Sequence, residues 1–258
     1  MIDLRHGDCL EVMDKLIKEG VKVDLTVTSP PYDNLRTYEG TLQWNEAIWK
    51  QAIERLYAIT ADGGIVVWIV GDATIKGSET GTSFKQALYF KEVGFRIHDT
   101  MIWEKPNFSM PSKNRYHQVS EYMFVFSKGS PKTFNGILDR KNKYGACLGQ
   151  NSVRNKDGSI TNLEKPKSRE YGMRFNVWKN NTTGQDFMCK ELPHPAMFPL
   201  GIANDHIISW SNEDDLILDP FAGSGTTGLA CKNLNRNFIG IEIVEEYCRI
   251  AKERIENG

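Results

Sequence analysis

Two short stretches near opposite ends of the 258-residue chain hold residue types suited to group-transfer chemistry. The later one, Asp219-Pro220-Phe221-Ala222-Gly223-Ser224-Gly225-Thr226-Thr227-Gly228, contains a GxGxxG spacing. Glycines at such positions let the backbone approach a ligand closely, and a helix start beyond them offers unpaired N–H groups. Glu242 follows Gly223 by nineteen residues, the separation at which an acidic side chain can meet ribose hydroxyls. No GK[ST] is present, so this is not the phosphate loop of a nucleoside triphosphatase. The earlier stretch, Thr28-Ser29-Pro30-Pro31-Tyr32, stops an apolar run on two prolines. Proline fixes its own φ and holds the residue before it extended, so Ser29 sits on a rigid turn with an aromatic ring behind it.

The surrounding pattern puts both stretches at strand ends. Apolar runs predict strands over residues 2–8, 23–29, 63–71, 95–105, 120–128, 215–220 and 237–243. Stripes at helical spacing predict helices over 9–18, 45–61, 84–93, 226–234 and 245–256, with a further one after Pro199. Asp62-Gly63-Gly64 is read as ending the second helix and launching the next strand, and 77–83 as a polar loop. From Gly129 to about Pro193 no period holds. Strands alternating with helices predict an α/β domain with a mostly parallel sheet.

Only 33 residues follow Gly225, room for a helix, a strand and a helix. A nucleotide-binding half-sheet needs one strand more, and residues 2–8 are placed to supply it, so a circularly permuted, Rossmann-like sheet is expected. Asp219, Glu242, Asp8 and Thr28-Ser29 would then gather over the carboxyl ends of the strands, where such sheets bind ligands. Carboxylates beside a glycine loop repel a pyrophosphate and attract a cation. S-adenosylmethionine fits that inventory better than a nicotinamide dinucleotide: Asp219 suits its ammonium, Glu242 its ribose diol and Asp8 its exocyclic amine. A nicotinamide-dependent oxidoreductase is the distant alternative, and a non-catalytic DNA-binding module that keeps the fold is a third reading.

Composition narrows the field further. With 40% hydrophobic and 25% charged residues the chain is neither disordered nor fibrous. No apolar run reaches the roughly 18 residues of a membrane helix, and the first residues lack a signal peptide's basic and apolar regions. Five scattered cysteines (Cys9, Cys147, Cys189, Cys231, Cys248) form no CxxC, which suggests reduced thiols, a cytoplasmic location and no bound metal. Between Lys128 and Glu191, 13 Lys and Arg stand against 6 Asp and Glu, a local +7 that leaves −8 on the rest of a chain of net charge −1. A basic segment on an acidic body suggests a polyanion-binding module.

DPFAGSGTTG, TSPPY, the early Gly7-Asp8-Cys9-Leu10-Glu11 and His194-Pro195-Ala196-Met197-Phe198-Pro199 together resemble the beta-type, permuted class of amino-directed DNA methyltransferases. The likeness spans nearly the whole chain apart from 130–192. It implies S-adenosylmethionine as methyl donor and an exocyclic amine of a base in double-stranded DNA as acceptor. Cofactor contacts are implied for Asp8, Cys9, Thr28, Phe198, Glu242 and every residue from Asp219 to Thr227. Catalysis is implied for Ser29, Pro30, Pro31 and Tyr32. The Ser29 hydroxyl and the Pro30 carbonyl would hold the amine hydrogens so that its lone pair faces the methyl, and Tyr32 would stack on an extruded base. No Pro-Cys pair is available for attack through the cytosine ring carbon. Ser29 stands where adenine enzymes more often carry Asp or Asn, which favours N4 of cytosine over N6 of adenine. Residues 1–129 and 193–258 are expected to form the catalytic and cofactor halves, with 130–192 as a target-recognition insertion. Loop 33–44, with Asn34, Arg36 and Tyr38, is expected over the DNA, and Arg115-Tyr116 near the extruded nucleotide. A homodimer and a cognate restriction enzyme are the other expected partners. His98 and His206 are assigned no role.

Overall fold

The computed structural model describes residues 1–31, 44–108, 113–142, 152–162, 170–179 and 198–258. Two units form, one from Met1–Asn135 with Asn176–Gly258 and one from Gly136–Phe175. The larger unit begins with β1 (Ile2–His6), α1 (Cys9–Lys18), β2 (Val23–Thr28), α2 (Glu46–Ile59) and β3 (Thr60–Val70). It continues through the hairpin β4 (Thr74–Ile75) and β5 (Ser78–Glu79), then α3 (Thr82–Val93), β6 (Arg96–Glu104) and β7 (Ser120–Ser127). The smaller unit holds β8 (Arg140–Lys141), β9 (Ser152–Arg154), β10 (Ile160–Asn162) and β11 (Tyr171–Gly172). The chain then returns as β12 (Val177–Lys179), α4 (Leu200–Trp210), β13 (Leu216–Asp219), α5 (Thr226–Asn233), β14 (Asn237–Glu242) and α6 (Glu245–Asn257).

Eight strands of the larger unit form one sheet, ordered β1-β14-β13-β2-β3-β7-β6-β12, beside the separate β4–β5 hairpin. β1 pairs in parallel with β14, from Ile2 beside Phe238 to His6 beside Glu242. The early strand therefore completes the half-sheet of β13 and β14. β13 also pairs in parallel with β2, and from that junction the chain winds outward in both directions, which makes it the switch point of the sheet. Among the described residues, only β7 runs antiparallel to its neighbours in the sheet.

Burial on both faces explains the near-continuous apolar sequence of the central strand. Ile65, Val67 and Ile69 of β3 point to one face, packed with Ile202 and Ile207 of α4, Leu229 and Ala230 of α5 and Ile255 of α6. Val66, Trp68 and Val70 point to the other, with Met13 and Leu16 of α1, Ile53 and Leu56 of α2 and Phe90 of α3. Each such buried side chain contributes roughly 1.5–3 kcal/mol, and together they hold the carboxyl ends of β13, β14, β1 and β2 in one row.

β3 begins at Thr60, three residues before the expected start at Gly63, so Asp62-Gly63-Gly64 lies inside the strand rather than at its start. Gly63 adopts φ +76°, and a Cβ on Gly64 would fall 2.8 Å from Thr60 Cγ2. The two glycines make an irregular strand start, where the register with β2 shifts between Val23 and Leu25. The polar loop 77–83 contributes to the β4–β5 hairpin, and the aperiodic segment holds pairs of two- and three-residue strands. Among the described residues, no helix is long and apolar enough to cross a membrane.

Candidate active site

β13 ends at Asp219, and the loop beyond it turns into α5 through Gly223 (φ +51°) and Gly225 (φ +78°). These left-handed positions suit glycine, and Gly225 has a second reason: a Cβ there would meet Ala251 Cβ at 2.9 Å. Gly228 lies under Phe238, whose ring would be 2.7 Å from an added Cβ. The motif therefore joins a turn to close packing of α5 on β14 and α6. Arg254 of α6 latches the loop, its Nη1 donating to Ser224 O at 3.2 Å, Ser224 Oγ at 3.1 Å and Thr226 Oγ1 at 3.0 Å.

Asp219 is 1% exposed. Its Oδ1 accepts from Thr28 Oγ1 at 2.6 Å and Phe221 N at 3.1 Å, and its Oδ2 accepts from Thr227 Oγ1 at 2.7 Å. This one carboxylate ties the end of β13 to the end of β2, directly before Ser29, and to the first turn of α5. Burial pushes its pKa up to about 6 against these hydrogen bonds, and the nearby charge of Glu242 adds to the rise. Asp219 was expected to hold a ligand ammonium; its oxygens are turned inward onto two threonines.

Glu242 ends β14 with its carboxylate at the same loop. Oε2 accepts from Gly223 N at 2.8 Å and Oε1 from Val244 N at 2.9 Å. Burial raises its pKa, opposed by the backbone donors. Asp8 caps α1, accepting from Leu10 N at 2.8 Å and Glu11 N at 3.3 Å, which places it beyond the carboxyl end of β1. Burial, reinforced by Asp8, pushes the Cys9 thiol up to about 12, so it stays neutral and is no nucleophile.

Thr28 is fully buried at the end of β2, Ser29 is half-buried and Pro30 is buried. Pro31 is described and half-buried, whereas Tyr32 lies outside the described residues, as do most of loop 33–44 and His194–Met197. Phe198 is half-buried and packs against the core cluster that includes Ile202 and Ile207 of α4. Pro220, Ala222, Ser224 and Thr226 are buried within the loop, and Ala222 N donates to Ile241 O at 2.9 Å. Phe221 is held edge-on by Trp44 at 5.2 Å and by Trp68 at 6.2 Å. Sequence reasoning missed Trp44 and Arg254. Trp44 stands just before the α2 cap at Asn45, and Arg254 lies on a helix whose partner surface the sequence does not name.

The switch point, the glycine turn into a helix and the carboxylate at the next strand's end define an α/β ligand-binding sheet of methyltransferase type. The chain matches the family model described as DNA methylase over residues 23–253. It is 52% identical over 240 residues to the orphan methyltransferase M.BamHII of Bacillus amyloliquefaciens, spanning 91% of this chain and 89% of that protein. The crystal structure of the M1.HpyAVI-SAM complex is similar with a TM-score of 0.68 at 28% identity, covering 99% of both chains. PvuII DNA methyltransferase (cytosine-N4-specific) has a TM-score of 0.66 at 21% identity, covering 99% of this chain and 90% of that one, a likeness of fold. The chain belongs to the N6/N4 DNA methylase family and is a DNA methyltransferase.

Proposed function

We propose that this enzyme moves the methyl group of S-adenosylmethionine onto the exocyclic N4 of a cytosine extruded from double-stranded DNA at a specific site. The observation that carries the reading is the junction of the two motifs: Thr28 and Thr227 meet on one buried carboxylate, which puts Ser29 beside the mouth of the glycine loop. The order of motifs in the chain, with β1 completing the half-sheet of β13 and β14, supports a circular permutation.

Glu242 holds the ribose hydroxyls, Asp8 the adenine amine, and Phe198 packs on the methionine moiety. Asp219 acts on the cofactor's cation through its buried negative charge and by fixing the loop. An exocyclic amine is a poor nucleophile because its lone pair is delocalised into the ring. Ser29 Oγ and the Pro30 carbonyl accept its hydrogens, so the lone pair localises toward the sulfonium methyl. S-adenosylmethionine, when bound, would supply the methyl: its methyl–sulfur bond would break as the nitrogen–carbon bond forms, leaving S-adenosylhomocysteine, and the methylated amine would lose one proton to water. Held acceptors supply this without a covalent intermediate. Tyr32 stacks on the extruded base.

The basic insertion, residues 130–192, reads the sequence; the smaller unit, Gly136–Phe175, lies within it. A second copy of the chain and a cognate restriction enzyme stand beside DNA as proposed partners. Sequencing plasmid DNA from an expressing host with methylation-sensitive readout tests the proposal. N4-methylcytosine at one recurrent site is expected; unmodified DNA would overturn the reading, and N6-methyladenine would reassign the base.

A further inference from the structure

We propose that Tyr116 is a wedge that enters the duplex beside the target and fills the gap left by the extruded base. The inference rests on the extrusion proposed above and names the side chain that acts on the rest of the helix.

Strand registers give its location. The loop between β6 and β7 leaves the sheet at Glu104, which pairs with Ser120. Tyr122 of β7 pairs with Val70 at the end of β3, and Trp68 of β3 pairs with Thr28, just before Ser29. The loop therefore rises from the same end of the sheet as the Ser-Pro-Pro segment.

Three tethers brace it. At its base Lys105 N donates to Val119 O at 2.6 Å. Higher up, the Phe108 and His117 rings pack across its two limbs with centroids 4.0 Å apart. At its side Arg115 donates to Gly77 O and, at 3.4 Å, to Thr74 Oγ1, and lies 3.7 Å from Glu79. The guanidinium expected near the nucleotide is thus a buckle that fastens the loop to the β4–β5 hairpin. Between these fixed neighbours Tyr116 is 98% exposed.

A lone exposed aromatic is ordinary on a protein surface. Here the flanking residues on both sides are anchored while the ring itself faces solvent. A side chain whose backbone is already positioned loses little freedom on insertion, so more of its stacking is available to offset unstacking of the DNA. A phenol face stacks on any base, as a wedge must. Residues 105–120 include Lys105, Lys113 and Arg115 and no Asp or Glu of their own; Lys105 pairs with Glu121 and Arg115 lies beside Glu79, so neighbouring carboxylates partly offset the loop's positive charge toward phosphates.

The test uses the full-length protein, S-adenosylmethionine and a short duplex carrying the site found by sequencing, with the fluorescent cytosine analogue pyrrolocytosine at the target position. Fluorescence reports extrusion, and single-turnover assays on the unlabelled duplex report transfer. Tyr116→Ala should lose about tenfold to a hundredfold in both, the scale of one lost base–aromatic stack, with S-adenosylmethionine affinity unchanged. Tyr116→Phe should retain both. An abasic position opposite the target lowers the energy needed for extrusion, so it should restore Tyr116→Ala toward wild type. Wild-type fluorescence and rate in Tyr116→Ala, or equal losses on paired and abasic duplexes, would overturn the wedge alone. Methylation by the wild type with no fluorescence rise would overturn extrusion and the wedge together.

Discussion

Thr28→Val isolates the hydrogen bond that joins the two motifs. Thr28 is fully buried, and valine matches its shape, so the substitution opens no cavity. What disappears is the 2.6 Å bond from Oγ1 to Asp219 Oδ1, leaving that carboxylate with Phe221 N and Thr227 Oγ1. A hydrogen bond to a charged group contributes about 1.5–3 kcal/mol, and its loss here strands part of a buried charge. For a chain of this size the loss corresponds to a fall in Tm of about 3–12 °C. With one stabilising donor gone, the Asp219 pKa should move further above about 6. Below that pH the wild-type carboxyl is already protonated, the lost bond is an ordinary neutral one, and the gap between variant and wild type should shrink. Calorimetry at pH 7.5 and pH 5, with titration of S-adenosylmethionine at each pH, measures these effects. A Tm within about 1 °C of wild type at pH 7.5 would refute the bridging role, as would an equal loss at both pH values.

The same carboxylate gives the cofactor a pH dependence. A bound cation favours ionised Asp219, so affinity for S-adenosylmethionine should rise as pH climbs through about 6, and Asp219→Asn should flatten that step. In the unliganded protein the sign reverses. Because the folded pKa lies above the ordinary value of 3.8, folding favours the protonated form, and Asp219's contribution to stability falls between about pH 4 and pH 6 and is level above. Gly225→Ala combines a left-handed φ of +78° with a Cβ contact 2.9 Å from Ala251 Cβ; urea unfolding should show a loss of about 2 kcal/mol or more. Tyr32→Ala should lower the methylation rate about tenfold to a hundredfold while leaving calorimetric S-adenosylmethionine binding intact, because its partner is the base. Removing residues 136–175 should abolish sequence-specific binding in a gel-shift assay while cofactor binding persists; retained methylation of the same site would place recognition in the larger unit.

The strands and helices that carry the site were legible because their periods are strong. Residues 9–18 and 23–28 show clean helical and strand spacing, and burial of β3 on both faces leaves the expected unbroken apolar run. The place of residues 2–6 in the sheet followed from counting strands after Gly225. The inward turn of Asp219 was not legible, because one of its threonine partners lies 191 residues away and the expectation treated each motif as facing the ligand. The Arg254 latch depends on a helix crossing that no local pattern encodes. The start of β3 was placed three residues late because glycines that end a helix and glycines that shift a strand's register look alike in sequence. In the smaller unit, strands of two or three residues are too short to leave any period.

Mass spectrometry of nucleosides from unmethylated plasmid, after incubation with the purified protein and S-adenosylmethionine labelled in its methyl group, tests most directly whether Ser29-Pro30-Pro31 and the glycine loop form one amino-methylating site. The label should appear as N4-methylcytosine and should vanish with Ser29→Ala at unchanged cofactor affinity. Label at cytosine C5, or no transfer to DNA by a protein that binds both the cofactor and the duplex, would contradict it.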